Sequence, residues 1–387
     1  DVVSSDEARA LVKDKPHSFL HVSRAEIDLP PNTDPYSDVV YAQARSNIKA
    51  FEEQNFLIRD DNPAFYVYRM TTGDKVQTGV AFSASVDAYQ NNRIRKHELT
   101  RPLKEDDRVR QIENVDAHTG PVLMVYAADQ QLAEALASAT DKEPDGVVHQ
   151  LFGVRHELWV VSDPHKIASI AGRLNRMPSM YIADGHHRTA AAARVSDARA
   201  QANPSHNGTE PYTGFLAVAF PDEEVTILAY NRLVADLHGH NSEQFLQALA
   251  QHFELRVTDE PATPIKRYSF GMYLDGRWFT LEPKEPLTGS DPVARLDVSV
   301  LDRLIIQPLL GITDSRTDTR IEFVGGSRGP SGLSERVDSG EMAVGFSLFP
   351  TSLDDLMAVA DAGKIMPPKS TWFDPKLADG VISLPLN

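Results

Sequence analysis

The sequence predicts a mixed α+β protein built from two lobes. Two hairpins carry this prediction, one formed by 63–70 and 76–83 and the other by 267–274 and 277–281. Both pairs alternate apolar and polar residues around a short turn that contains glycine. Helix-like segments lie between the hairpins, and this mixture favours α+β or mixed α/β over one regular doubly wound sheet. At 387 residues the chain exceeds what one core usually holds.

The remaining elements follow from apolar periodicity, with a spacing of three to four residues for helices and of two for strands. Helices are predicted at 34–54, 129–140, 165–175, 189–202, 242–253, 298–310 and 352–362. Strands are predicted at 121–126, 157–161, 180–183, 214–220, 225–229 and 342–349. The turn formers at 203–209 predict a linker between an N-terminal lobe of 1–203 and a C-terminal lobe of 210–387.

Composition narrows the classes of function. The chain has no cysteine, which excludes disulfides, thiolate metal sites and cysteine nucleophiles and fits a cytoplasmic protein. A net charge of −16 argues against nucleic acid as a partner, and no apolar run reaches the length of a membrane span. We therefore expect a small-molecule substrate, no nucleic acid and no membrane; the oligomeric state is not predicted.

One loop concentrates reactive side chains between a strand and a helix. It reads Asp184-Gly185-His186-His187-Arg188. The glycine permits a sharp turn, and the first amides of the following helix are free donors with the positive end of the helix dipole behind them. Such an end binds anions, and an arginine adds a planar fork for phosphate. The loop therefore predicts a phosphate site.

Each loop residue receives a role in this prediction. Gly185, His187 and Arg188 are expected to bind phosphate, His186 to contact phosphate oxygens or carry a proton, and Asp184 to hold a magnesium ion or orient a histidine. The competing interpretation is structural, with an aspartate cap, a glycine turn and packed histidines. Adjacent histidines point to different faces, which disfavours a two-histidine metal site.

A second cluster spans 93–108 and mixes bases, cations and carboxylates. Phosphoryl transfer needs a carboxylate to accept the hydroxyl proton, cations to neutralise phosphate charge and further carboxylates for magnesium. Predicted roles in this cluster are catalysis for His97 and Glu98, phosphate binding for Arg101 and Arg108, and metal binding for Glu105. The competing interpretation is a solvated helix start with local salt bridges.

The loop 182–188 resembles the hallmark of a bacterial family labelled "domain of unknown function 1015". Further stretches carry the resemblance along nearly the whole chain: 18–22, 96–98, 105–108, 118–121, 230–232, 323–326 and 367–373. Members usually carry residues ahead of the stretch 1–5. The resemblance thus implies that this chain starts late and that part of its first domain is missing.

The loop is also similar to the Asp-Gly-His-x-Arg motif of free serine kinases in the ParB/sulfiredoxin superfamily. This resemblance implies a ParB/sulfiredoxin-like nucleotide site for ATP or ADP with Mg²⁺, formed by Asp184, Gly185, His186 and Arg188. A separate glutamate is the base in those kinases. Glu98 is our first choice for it and Glu105 the substitute.

Three functions remain open at this point. The first is an ATP-dependent kinase acting on a small hydroxyl metabolite, with L-serine as the leading candidate. The second is a ParB-like nucleotide-binding regulator without turnover, and the third is a hydrolase of a phosphorylated or nucleotide substrate. A carboxylate base near the phosphate loop would distinguish the first from the second, and the cluster at 96–108 favours an enzyme.

Overall fold

The protein is described by a computed structural model that covers residues 3–149, 153–287, 289–326 and 329–387. Asp1 and Val2, where the late start was expected, lie outside the described residues. The helices are α1 Ser5–Val12, α2 Leu20–Ser23, α3 Asp38–Glu53, α4 Val86–Gln90, α5 Pro102–Val115, α6 Gln130–Ala137, α7 Pro164–Arg176, α8 His186–Ala202, α9 Ser242–His252, α10 Asp297–Leu301, α11 Ser331–Asp338 and α12 Leu353–Asp361.

The strands alternate with these helices along the chain. They are β1 Phe65–Thr72, β2 Lys75–Ser85, β3 Ile94–Arg95, β4 Ala117–His118, β5 Val122–Tyr126, β6 Gly146–His149, β7 Arg155–Val161, β8 Met180–Asp184, β9 Gly214–Pro221, β10 Thr226–Leu228, β11 Tyr230–Val234, β12 Phe253–Thr258, β13 Phe270–Leu274, β14 Arg277–Pro283, β15 Ile321–Gly325, β16 Val344–Leu348, β17 Trp372–Asp374 and β18 Leu384–Pro385. The predicted α+β class is confirmed, and both predicted hairpins form, as β1–β2 and β13–β14.

The chain divides into two compact units, but not at the predicted place. The first unit comprises 1–225 together with 375–387, and the second comprises 226–374. The turn segment 203–209 therefore lies inside the first unit. The reason is β9, which follows that segment and pairs with β2 and β5 in the centre of the first sheet.

The first unit is organised around a mixed eight-stranded sheet with the order β3-β8-β5-β9-β2-β1-β7-β6. Helices α6, α7 and α8 contribute buried apolar residues to the same core as these strands. Every residue of β5 is buried, which agrees with its continuous run of apolar residues, as is typical of strands covered on both faces. Strand β8 lies between β3 and β5, so the polar loop that follows it emerges from an interior strand of the sheet.

The second unit contains a six-stranded antiparallel sheet with the order β12-β14-β13-β16-β11-β15. Three stretches that carried the family resemblance meet here around Arg232, which is only 1% exposed. Its guanidinium donates to the carbonyls of Tyr230 at 2.6 Å and Lys369 at 3.0 Å, and it lies 4.6 Å from the ring centre of Phe323. These stretches thus have a structural role within the second unit.

Among the described residues, none of the helices has the length and apolar character that crossing a membrane requires.

Candidate functional site

The site is built where β8 ends and α8 begins. Gly185 takes a φ of +105°, which places it in the left-handed region and turns the chain from strand to helix within one residue. The helix starts at His186, three residues before the predicted start. The amides of His186, His187 and Arg188 are therefore the first of α8, where helix amides lack an acceptor one turn earlier.

Arg188 lies back across the turn that precedes it. A side chain at Gly185 would place its Cβ 3.0 Å from the Nε and Nη2 atoms of Arg188, so the glycine leaves the space that the guanidinium occupies. One terminal nitrogen, Nη2, is 3.4 Å from Oδ2 of Asp184. The guanidinium thus lies beside Gly185, where α8 begins.

Both loop histidines bind the backbone of the second cluster. Nε2 of His186 accepts a hydrogen bond from the amide of His97 at 3.4 Å, and Nε2 of His187 accepts one from the amide of Arg101 at 3.0 Å. The two adjacent rings therefore point to different partners, as expected. Together they hold the segment 97–101 against the start of α8.

The predicted catalytic residues of the two clusters meet at His186. Its Nδ1 lies 3.9 Å from Oε2 of Glu98, and its ring packs edge to face on that of His97, with 4.5 Å between the ring centres. Because Nε2 accepts a hydrogen bond, we assign the ring proton to Nδ1, on the side of Glu98. The arrangement presents a half-buried carboxylate to a neutral imidazole.

Burial controls the protonation of this pair of rings. It lowers the pKa of His97 to about 4, partly opposed by the nearby Ile182 backbone and Asp184 carboxylate. Burial likewise lowers the pKa of His186 well below its ordinary value, and the neighbouring His97 lowers it further. Both rings are therefore neutral near pH 7. His186 can donate or accept a proton there, but it does not supply a permanent positive charge.

His97, Glu98 and His186 also form a group of possible metal ligands. Their ligand atoms lie within 4.8 Å of one another, and neither ring nitrogen of His97 has a partner that meets hydrogen-bond geometry among the described residues. Two histidines and a carboxylate suit a transition metal. A metal at Nδ1 of His186 would, however, require that nitrogen to give up its proton. The sequence interpretation assigned metal binding to Asp184 and Glu105 and not to this group.

Glu105 and Arg108 have partners away from the loop. The two carboxylate oxygens of Glu105 accept from Arg194 at 2.9 Å and from Thr100 at 2.8 Å. Arg108 pairs with Asp107 at 2.6 Å. These contacts do not support Glu105 as a metal ligand or Arg108 as a phosphate ligand. A salt bridge from α8 holds Glu105 and a neighbouring carboxylate holds Arg108, which corresponds to the structural interpretation of this part of the cluster.

Two further charged residues reach the loop from the end of the chain. Nζ of Lys376 lies 3.7 Å from Oδ2 of Asp184, and Oδ1 of Asp379 lies 3.8 Å from Nη1 of Arg188. Sequence reasoning missed both, because nothing in the local pattern places the last residues of the chain beside β8. The one signal, which covers Lys376 and not Asp379, was the basic and rigid character of the stretch 366–376.

The fold and the loop together define an α+β protein with a candidate anion site at a strand-to-helix turn. The chain belongs to the family described as "Protein of unknown function (DUF1015)", which matches residues 1–299. The resemblance noted in the sequence is thereby confirmed. No curated protein matches the chain.

Three solved structures show remote similarity. A free serine kinase in complex with AMP is 14% identical, with coverage of 79% of this chain and 92% of that chain and a TM-score of 0.35. SbnI with a C-terminal truncation, from Staphylococcus aureus, is 15% identical over 79% and 87%, with a TM-score of 0.40. A conserved hypothetical protein from Pyrococcus furiosus is 14% identical over 79% and 94%, with a TM-score of 0.35.

Proposed function

We propose that this protein is an ATP-dependent phosphotransferase that acts on a small hydroxyl metabolite, with L-serine as the leading candidate. The observation that carries the proposal is the 3.9 Å approach of Glu98 to His186 at the start of α8. A carboxylate this close to the first residue of α8 supports a proton acceptor near helix amides that suit phosphate. L-serine is suggested by the likeness of the loop to the motif of free serine kinases.

Each group in this proposal has a separate role in phosphoryl transfer. The amides of α8 and the Arg188 fork bind phosphate oxygens and neutralise charge that develops on them. Glu98 accepts the proton of the attacking hydroxyl, and the imidazole of His186 orients the carboxylate through Nδ1–H. This replaces the sequence-based role of His186 as a direct phosphate ligand, since a buried neutral ring offers little to an anion.

Asp184 is the residue that fits a magnesium ion. Its side chain is 41% exposed at the mouth of the loop, and Mg²⁺ is usually held by one or two carboxylates together with substrate phosphates. When bound, the ion would neutralise phosphate charge. Glu105 is left out of this role, because both of its oxygens already accept hydrogen bonds.

The decisive experiment is a product search with a matched variant. Purified protein is incubated with ATP, Mg²⁺ and a pool of hydroxyl metabolites that includes L-serine, and new phosphate esters are sought by mass spectrometry. Glu98→Gln serves as the control, since it keeps the shape of the side chain without the base. We expect an ester that appears with the wild type and is strongly reduced with the variant.

The other outcomes distinguish the remaining functions. Release of inorganic phosphate without an ester would indicate a hydrolase. Nucleotide binding without any product would indicate a regulator of the ParB-like type. Either result would overturn the phosphotransferase proposal.

A further inference from the structure

The last thirteen residues of the chain, 375–387, return to the first unit and are here called the C-terminal segment. This segment brings Lys376 to 3.7 Å from Oδ2 of Asp184 and Asp379 to 3.8 Å from Nη1 of Arg188. Lys376 and Arg188 thus approach the same carboxylate oxygen, Oδ2 of Asp184. The candidate phosphate loop therefore has two cations, and only one of them comes from the loop.

Several contacts fix the C-terminal segment in place. The amide of Gly380 donates to the carbonyl of Thr119 at 2.9 Å, and β18 pairs with β4. The amide of Ala378 points to the hydroxyl of Tyr68 at 3.5 Å, and Tyr68 is fully buried. Backbone contacts of the C-terminal segment therefore hold Lys376 near the loop.

Glycines make room for this docking. Gly380 has a φ of +75°, and a Cβ there would fall 2.1 Å from the ring of Phe19. A Cβ on Gly120 would fall 2.7 Å from Oδ1 of Asp379 and 3.2 Å from Nη1 of Arg188. The Asp379–Arg188 pair thus occupies the space that a side chain at Gly120 would take.

The spacing of the charges suits exchange with an incoming anion. The three ion pairs measure 3.4, 3.7 and 3.8 Å, longer than the roughly 2.7–2.9 Å of a direct charged hydrogen bond. All four side chains are between 27% and 41% exposed. A phosphate could therefore reach Arg188 and Lys376 and replace Asp184 as their partner, which would leave that carboxylate available to a cation.

We propose that Lys376 is a second phosphate-binding cation of this site, with a preference for nucleotides that carry more than one phosphate. Arg188 offers a planar fork, whereas a lysine ammonium is a mobile point charge that can follow a second phosphate group. Asp379 acts as a positioning residue, since it approaches Nη1 of the Arg188 fork while Asp184 approaches Nη2. The inference rests on the proposed function and extends it to the C-terminal segment.

The test compares the affinities of AMP, ADP and ATP by isothermal titration calorimetry. Lys376→Met should weaken ATP and ADP binding by about 10- to 150-fold, the size expected for one charged hydrogen bond, and AMP binding much less. Lys376→Arg should retain most of the ATP affinity. Lys142→Met is the matched control, because Lys142 pairs with Asp145 on the same unit away from the loop.

A second pair of variants tests the docking. Gly380→Ala should displace the C-terminal segment and lower ATP affinity even though Lys376 is present. Gly153→Ala is its control, since Gly153 has the same φ of +75° but open space around the position that a Cβ would take.

The outcomes separate the inference from the proposed function. ATP affinity that is unchanged in Lys376→Met but reduced in Arg188→Ala would overturn the role of Lys376 and leave the phosphotransferase proposal intact. Equal losses for AMP and ATP would overturn the preference for several phosphates. A wild-type protein that binds none of the three nucleotides would overturn both.

Discussion

Nδ1 of His186 lies 3.9 Å from Oε2 of Glu98, although one residue opens α8 and the other lies between β3 and α5. The parallel pairing of β3 with β8 produces this proximity, because it aligns Ile94 with Met180 and Arg95 with Tyr181. The carboxyl ends of both strands then point in the same direction. The residues that follow them are thus brought together by topology.

Replacement of Glu98 by glutamine should separate binding from turnover. The amide cannot accept a proton, and general base catalysis contributes about 10²- to 10⁴-fold. We expect nucleotide affinity close to that of the wild type and a loss of phosphate transfer in this range, measured by single-turnover assays with the identified acceptor.

Glu105→Gln is the matched variant for that experiment. Its carboxylate is held by Arg194 and Thr100, so turnover should stay near the wild-type level. If Glu105→Gln abolishes transfer and Glu98→Gln does not, the base is misassigned. If both variants transfer phosphate normally, neither carboxylate is the base.

Replacement of Arg188 by alanine should weaken nucleotide binding. One charged hydrogen bond is worth about 1.5–3 kcal/mol, which corresponds to roughly 10- to 150-fold in affinity. Titration calorimetry with ATP measures the effect. Arg256→Ala is a suitable control, because Arg256 is exposed in the second unit and pairs with Glu254. Equal ATP affinities for the wild type and Arg188→Ala would contradict a role of Arg188 in nucleotide binding.

Much of this site could be predicted from the sequence because it is local. A short apolar strand, a glycine and an alanine-rich helix define the turn at Gly185 without any tertiary information. The different directions of His186 and His187 also follow from local helix geometry. The start of α8 was placed three residues late, because His186, His187 and Arg188 have no apolar periodicity.

The rest of the site depends on contacts between distant segments. Helix α5 was not among the predicted helices, since its first turn is a mixture of charges without apolar periodicity, and a helix start at this cluster entered only as the competing interpretation. The position of Lys376 depends on the docking of β18 on β4, a pair of two-residue strands that leave no periodic pattern. The boundary between the units was misplaced for a similar reason, because the partners of β9 are far away in sequence.

Gly185→Ala should damage the loop more than an ordinary glycine replacement. A φ of +105° strains any residue with a Cβ, and that atom would also lie 3.0 Å from the Arg188 guanidinium and 3.3 Å from Cα of Val122. Left-handed strain alone costs about 1–2 kcal/mol. We expect a loss of stability above that range in urea unfolding and weaker ATP binding.

Gly208→Ala isolates the effect of crowding at Gly185. Gly208 lies in the same unit with a φ of +86°, but no atom lies within 4 Å of the position a Cβ would take. Its replacement should cost only the backbone strain and leave ATP affinity unchanged. Similar losses of stability in both variants would show that contact with Arg188 does not restrict Gly185.

The stability of the first unit should fall as the pH drops from about 6.5 towards 4. Burial lowers the pKa of His97, His118 and His156 to about 4 each, and that of His186 well below its ordinary value. In the unfolded chain these rings take up protons near pH 6.5. Below that pH the unfolded state binds more protons than the folded state, so protonation favours unfolding.

The slope of the free energy of unfolding against pH tests this prediction. Each ring that is protonated only on unfolding contributes about 1.4 kcal/mol per pH unit once the pH is below its unfolded pKa. Urea unfolding between pH 7.5 and 5 measures the slope before most carboxylates titrate. His156→Gln should reduce this slope by one such contribution, because glutamine does not titrate. The fold should tolerate the change, because the glutamine oxygen can still accept a hydrogen bond from the hydroxyl of Tyr68, which lies 2.8 Å from Nδ1 of His156. Equal slopes in the wild type and in His156→Gln would mean that His156 binds protons equally in the folded and unfolded states over this pH range.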